Sequence, residues 1–168
     1  MWKQRLSCGL AGALLLLVAA RLWAVAPDIK DEGHFFSEPA IKKANQQIHD
    51  IARDFGRDLL IETYNSAPKE QMEKLKSREE RSKFFHNWAL ERMRATVVNG
   101  VYVMACKEPP HLQVEITANA DAVFDRSARD KLVQALLTEF KAQRFDAGLE
   151  AAVNLVRQQL AASSPRHN

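Results

Sequence analysis

Apolar positions in this chain change period several times, and each change marks an element. Ile41, Ala44, Ile48, Ile51, Ala52 and Phe55 recur at helical spacing. Ser37 precedes them as a predicted N-cap, Pro39 falls in the first turn, and Gly56 follows as a left-handed stop. Leu59–Tyr64 is rich in Leu, Ile, Thr and Tyr and reads as a strand, broken by Asn65-Ser66-Ala67-Pro68. Lys69–Lys83 is crowded with charge of alternating sign, with Met72 and Leu75 as its chief apolar residues. That pattern predicts a solvated, mobile helix or lid. Phe84, Phe85, Trp88, Ala89 and Met93 restore an apolar face and predict a packed helix to about Val97.

Asn99-Gly100 then turns the chain. Val101–Cys106 is a continuous apolar run, which suits a central strand buried on both faces. After Glu108-Pro109-Pro110, the residues Leu112, Val114, Ile116 and Ala118 alternate with polar ones, so this strand has one covered face and one wetter face. Ser127 is the predicted cap of the next helix, with Asp130 completing a loose capping box. Leu132, Val133, Leu136, Leu137 and Phe140 form its buried face. Arg144-Phe145-Asp146 opens a last helix carrying Leu149, Val153, Val156 and Leu160. The long helical connection makes the first two strands parallel, and the Pro109-Pro110 turn makes the next pair antiparallel. The expected fold is therefore α/β: a three-layer α/β/α sandwich around a small mixed sheet.

The first twenty-six residues follow a different rule. Lys3 and Arg5 precede Leu6–Ala20, an unbroken run of apolar and small residues, and Arg21 interrupts before Leu22-Trp23-Ala24-Val25-Ala26. This has the form of a secretory signal peptide over 1–26. The run is shorter than the roughly 20 residues that span a bilayer. Pro27 would hinder cleavage after Ala26, so an uncleaved anchor is the alternative, and membrane association would then come through this segment alone. The α/β domain is expected over 27–162, with a disordered tail over 163–168. The expected location is exported: periplasmic, secreted, or membrane-associated on the non-cytoplasmic side.

Charge narrows the picture further. The 168-residue chain has a formal net charge of +3. Lys3, Arg5 and Arg21 account for all of it, because the first twenty-six residues contain no Asp or Glu. A neutral domain lacks the clustered cations that displace counterions from phosphates, which argues against a nucleic-acid partner. Of the two cysteines, Cys8 lies in the targeting segment, so a mature chain would hold only Cys106 and no internal disulfide.

Several short segments stand in a recognisable order. They are Ile29-Lys30-Asp31, the strand Leu59-Leu60-Ile61-Glu62-Thr63-Tyr64, Trp88 in the following helix, Asn99-Gly100-Val101-Tyr102-Val103, and Arg144-Phe145-Asp146-Ala147-Gly148-Leu149. Together they resemble the TPM domain, a family named after a plant thylakoid-lumen phosphatase, a photosystem II repair protein and a worm receptor modulator. The resemblance covers nearly all of the chain after the targeting segment. It implies an α/β/α sandwich on the non-cytoplasmic side of a membrane, with roles in membrane-protein repair or modulation. Some members are acid phosphatases, and some bind divalent cations. The family often carries a Gly-aromatic-Gly turn after the strand matching Leu112–Ala118, whereas this chain has Ala118-Asn119-Ala120-Asp121. A ligand role for that turn is not carried over.

Common catalytic arrangements are missing from the sequence. A cysteine phosphatase places Arg six residues after its nucleophile, and six after Cys106 is Leu112. Cys106 reads as a small core hydrophobe. No pair of Asp two apart, no Gly-x-Ser-x-Gly elbow and no glycine-rich phosphate loop occurs. His34, His49, His86 and His111 do not share metal-ligand spacing, and His49 and His86 read as surface residues. The metal candidates are Asp31 and Glu32 in the opening loop beside His34, and Asn99 and Asp121 on one rim of the sheet with Asn119 and Asp125. Their hard oxygens would suit Ca²⁺ or another divalent cation. The plainer reading is a solvated acidic loop and ordinary turn or cap chemistry. The functional expectation is an exported interaction or modulator module acting on a membrane protein or other protein partner. The alternative is a divalent-metal-assisted acid phosphatase, which requires Asp31, Asn99 and Asp121 to meet in one cleft.

Overall fold

The computed structural model describes residues 26–163, so the predicted targeting segment up to residue 25 and the tail beyond 163 lie outside the described residues. The elements run β1 (Lys30–Asp31), α1 (Glu38–Phe55), β2 (Asp58–Ser66), α2 (Arg78–Thr96), β3 (Gly100–Glu108), β4 (His111–Ile116), α3 (Arg126–Lys141) and α4 (Phe145–Ser163). The sheet order is β1-β2-β3-β4. β1, β2 and β3 are parallel, and β4 is antiparallel to β3.

Period-two alternation divides the core into two layers. Leu59, Ile61, Val101, Val103 and Val114 pack with α1, α3 and α4 on one face. Leu60, Tyr102, Met104 and Cys106 pack with Phe85, Ala89 and Met93 of α2 on the other. This is the three-layer sandwich that the strand patterns predict. Both crossovers step one strand in the same direction, yet α1 and α2 lie on opposite faces. The two crossovers therefore have opposite hands, and one runs against the usual right-handed rule.

Local chemistry explains the helix ends. The Ser37 hydroxyl accepts from the Ala40 amide, and Gly56 at φ 62° closes α1 by donating its amide to Ala52 O. Gly100 is required by close approach: a Cβ there would lie 2.1 Å from the Asp58 carbonyl oxygen, where β2 and β3 begin their pairing. α3 is capped by Asp125, not Ser127. The Asp125 carboxylate accepts from the Ala128 amide at 2.8 Å, and the helix begins one residue later.

Three further details differ from the sequence expectation. Lys69–Lys83 is not one helix but two short 3₁₀ turns, Lys69–Gln71 and Lys74–Lys76, followed by the start of α2. Leu75, 2% exposed, pins the segment to the α2-side core, so it is a tethered connection and not a free lid. β1 was not signalled, because two residues cannot show a period. The core also reaches further toward the N-terminus than Pro27: Ala26 is 4% exposed among the core residues, and the Ile29 amide donates to Asn45 Oδ1 at 2.9 Å.

Val97 ends α2 with φ 53° and is 82% exposed. A β-branched residue in the left-handed region carries strain that no burial offsets here, at about 1–2 kcal/mol. Val97→Gly should therefore raise stability by about 1 kcal/mol, read as a melting temperature higher by about 3 °C. An unchanged or lower melting temperature would show that the left-handed cap is not strained.

Candidate functional site

The chain leaving β1 climbs to α1 on one face, while the chain leaving β2 passes to α2 on the other. Loops that diverge in this way open a crevice at the carboxyl ends of adjacent strands, where ligands of open α/β sheets commonly bind. Asp31 ends β1 at this rim. Its carboxylate accepts from the amides of Phe35 and Phe36, both at 3.0 Å, and from the Thr63 hydroxyl. The Gly33 amide reaches Thr63 Oγ1 at 3.0 Å, and His34 takes φ 49° to complete the turn. Asp31 thus folds the β1–α1 loop onto β2. Glu32 beside it is exposed.

One residue earlier on β2, and on the opposite face, lies the principal charged cluster. Glu62 is 1% exposed. Arg92 of α2 grips it through Nε and Nη2 at 2.8 and 2.7 Å, a side-on fork. Lys30, its register partner on β1, donates at 3.0 Å. Tyr64 and Tyr102 donate their hydroxyls at 2.8 and 2.7 Å. Burial alone would push the Glu62 carboxyl up. The bonds from Arg92, Tyr102, Tyr64 and Lys30 outweigh it and hold the group at about 2, below the ordinary 4.5. Burial first, and bonding to the carboxylate second, push both phenols up. The sequence pattern places Glu62 in a strand and assigns it no role. The available signal was its position between Leu60 and Tyr64 on a strand covered on both faces, where a carboxylate requires partners.

The other candidates are dispersed. Asn99 lies at the amino end of β3, where its amide donates to Asp58 Oδ2 at 2.8 Å and its side chain reaches Gly56 O at 3.3 Å. Asn119 offers its carbonyl to Arg57 on the same rim, and Asp121 is exposed in the following turn. Asp125 is the α3 cap. Asp31 pairs with Thr63 and Thr63 with Ala105, whereas Asp58 pairs with Gly100. At about 3.3 Å per residue, the Asp31 rim and the Asn99 rim lie about 16 Å apart. Asn99 and Asp121 thus share a rim, and Asp31 and Glu32 occupy the opposite one. Among the described residues, no three His, Cys, Asp or Glu side chains assemble into a metal-holding group.

Three histidines have polar partners. His86 Nδ1 meets the buried Glu115 carboxylate at 2.7 Å, and Glu115 also accepts from Gln113 at 2.6 Å. His111 bonds Gln113 and stacks on Phe85 with ring centroids 4.1 Å apart, and burial pushes its imidazole down. His49 meets Asp28 at 2.9 Å. Cys106 is buried, and burial pushes its thiol up, away from the thiolate a nucleophile needs.

Beside the Asp31 loop, a groove of about 540 Å³ opens between β3, β4, α3 and the start of α4. Phe35, Phe140 and Phe145 form one aromatic wall, with centroids 5.1 to 5.7 Å apart. Lys107 and Lys141 stand among its lining residues.

A family model for the TPM domain matches residues 29–159. The chain belongs to the TPM domain family. Two solved structures show the same fold. The N-terminal domain of a protein from P. gingivalis is 16% identical, with a TM-score of 0.64 over 83% of this chain and 85% of that one. The BA42 protein of the psychrophilic bacterium Bizionia argentinensis is 17% identical, with a TM-score of 0.54 over 76% and 83%. No curated protein matches this TPM domain significantly in sequence.

The Glu62 cluster gives a pH signature. The unfolded carboxyl titrates near 4.5 and the folded one near 2, so the unfolded chain binds more protons between those values. Stability contributed by Glu62, about 3 kcal/mol, is present above pH 4.5 and is lost as pH falls toward 2. Glu62→Gln should lower the unfolding free energy at pH 7 by about 3 kcal/mol and flatten this part of the pH profile, read by urea unfolding. A profile unchanged by the substitution would rule out the charged, gripped carboxylate.

Proposed function

We propose that this TPM-domain chain is an exported interaction module working beside a membrane, in the repair or quality control of membrane proteins. Its partner is a membrane protein rather than a nucleic acid. The charge-then-apolar pattern of residues 1–26 and the family membership support the setting. The observation that carries the reading is how two acids at this rim are used. The Asp31 carboxylate is spent on loop amides and Thr63, and that of Glu62 on Arg92, Lys30 and two tyrosines. Both hold strands and loops in place. What the carboxyl rim offers a visitor is an apolar groove flanked by lysines.

The metal-assisted phosphatase reading would draw on Asp31, Asn99 and Asp121, which lie at opposite ends of the sheet. Two measurements on the full chain decide between the readings. Fractionation of the native host should place the protein outside the cytosol, with cross-links to integral membrane proteins. A phosphate-ester assay with and without Ca²⁺ or Mg²⁺ should show no turnover above a heat-denatured control. Metal-dependent turnover abolished by Asp31→Asn, in a variant that keeps its melting temperature, would replace the module by an enzyme.

A further inference from the structure

We propose that the carboxyl-rim groove binds a free fatty-acid anion, with its hydrocarbon chain against the aromatic wall and its carboxylate between Lys107 and Lys141. The volume, about 540 Å³, lies in the range of small-molecule sites. The apolar part of the lining runs from Phe35, Phe140 and Phe145 to Leu112 and Leu137. The groove lies on the face of the sheet, over the β3–β4 pair in which Ala105 faces Leu112 and Cys106 faces His111, and β4 is the edge strand. His111 has Gln113 as its partner, and the Cys106 thiol donates to Glu108 O at 3.3 Å. The floor therefore has little with which to satisfy a polar body. An extended peptide laid across this face, rather than along the β4 edge, would bring amides and carbonyls that no strand ladder meets, at about 1–3 kcal/mol for each group left unpaired. A hydrocarbon chain brings none.

Charge sets the other end of the ligand. Lys107 Nζ stands 5.2 Å from the Phe35 ring centroid and donates to His34 O at 3.4 Å. Among the described residues, neither Lys107 nor Lys141 has a carboxylate partner, whereas Glu139, near Lys141, is taken by Arg144. Two unneutralised ammonium groups beside an apolar trough complement an amphiphile with a negative head and disfavour one with a positive head. The assignment stands apart from the modulator reading, because occupancy is measured on the chain itself whatever its partner.

The test uses the full chain and decanoate below its micelle threshold, followed by methyl NMR and calorimetry. Saturable shifts are expected at the Ala105, Leu112 and Leu137 methyls. Decyltrimethylammonium, with the same chain and the opposite charge, should bind at least about tenfold more weakly. The double variant Lys107→Ala, Lys141→Ala alters two exposed side chains and should keep its melting temperature while losing that preference. Three outcomes would each overturn the assignment: equal affinity for the two amphiphiles, a preference retained by the double variant, or binding heat without groove-methyl shifts. The last would place the ligand elsewhere on the chain.

Discussion

The structure turns on one buried carboxylate. Glu62 draws a cation from β1, a cation from α2 and a hydroxyl from β3 to a single point, so three separate elements are fixed by one group. Removing a carboxylate from water is costly, and apolar replacements of similar shape often serve as well for stability alone. The difference is register. A one-residue slip of β1 would set either Asp31 or Ile29 against Glu62 in place of Lys30, exchanging attraction for like-charge repulsion or for an unpaired carboxylate. A two-residue strand has too few ladder bonds to define its own alignment, so the ion pair supplies what its length cannot.

Asp31 completes the same alignment from the other face of the sheet. Lys30 and Asp31 are neighbours whose side chains leave β1 in opposite directions, one to the charged cluster and one to the loop over Thr63. The first strand is thus clamped on both faces by polar contacts, whereas β2 and β3 are held mainly by apolar burial. Asp31, an acid that invites a metal interpretation in the sequence, instead assembles the sheet edge.

Most of the fold was legible because it rests on periodicity. Ile48 and Ile51 mark α1, Val101–Cys106 marks the central strand, and Gly56 is where the left-handed stop was needed. What escaped depends on contacts distant in sequence. Glu62 and Arg92 are thirty residues apart, and nothing local identifies them as a pair. Asp125 and Ser127 are equally plausible caps until the helix start is known to be Arg126. The rim shared by Asn99 and Asp121 was readable from the hairpin, because antiparallel pairing returns the chain to its starting end. Asp31's place at the far end became clear only with β1. The groove was not legible, since it gathers residues from five segments between Phe35 and Phe145.

The burial of Ala26 bears on how this domain would sit if the preceding apolar run stays in a bilayer. Ala26, the first described residue, is already packed in the core, and only residues 21–25 separate it from the run Leu6–Ala20. Five residues reach at most roughly 20 Å when fully extended, so a body held through that run would meet only neighbours close to the same plane. A cut after Ala26 would instead release the body at the expense of one of its own packed residues.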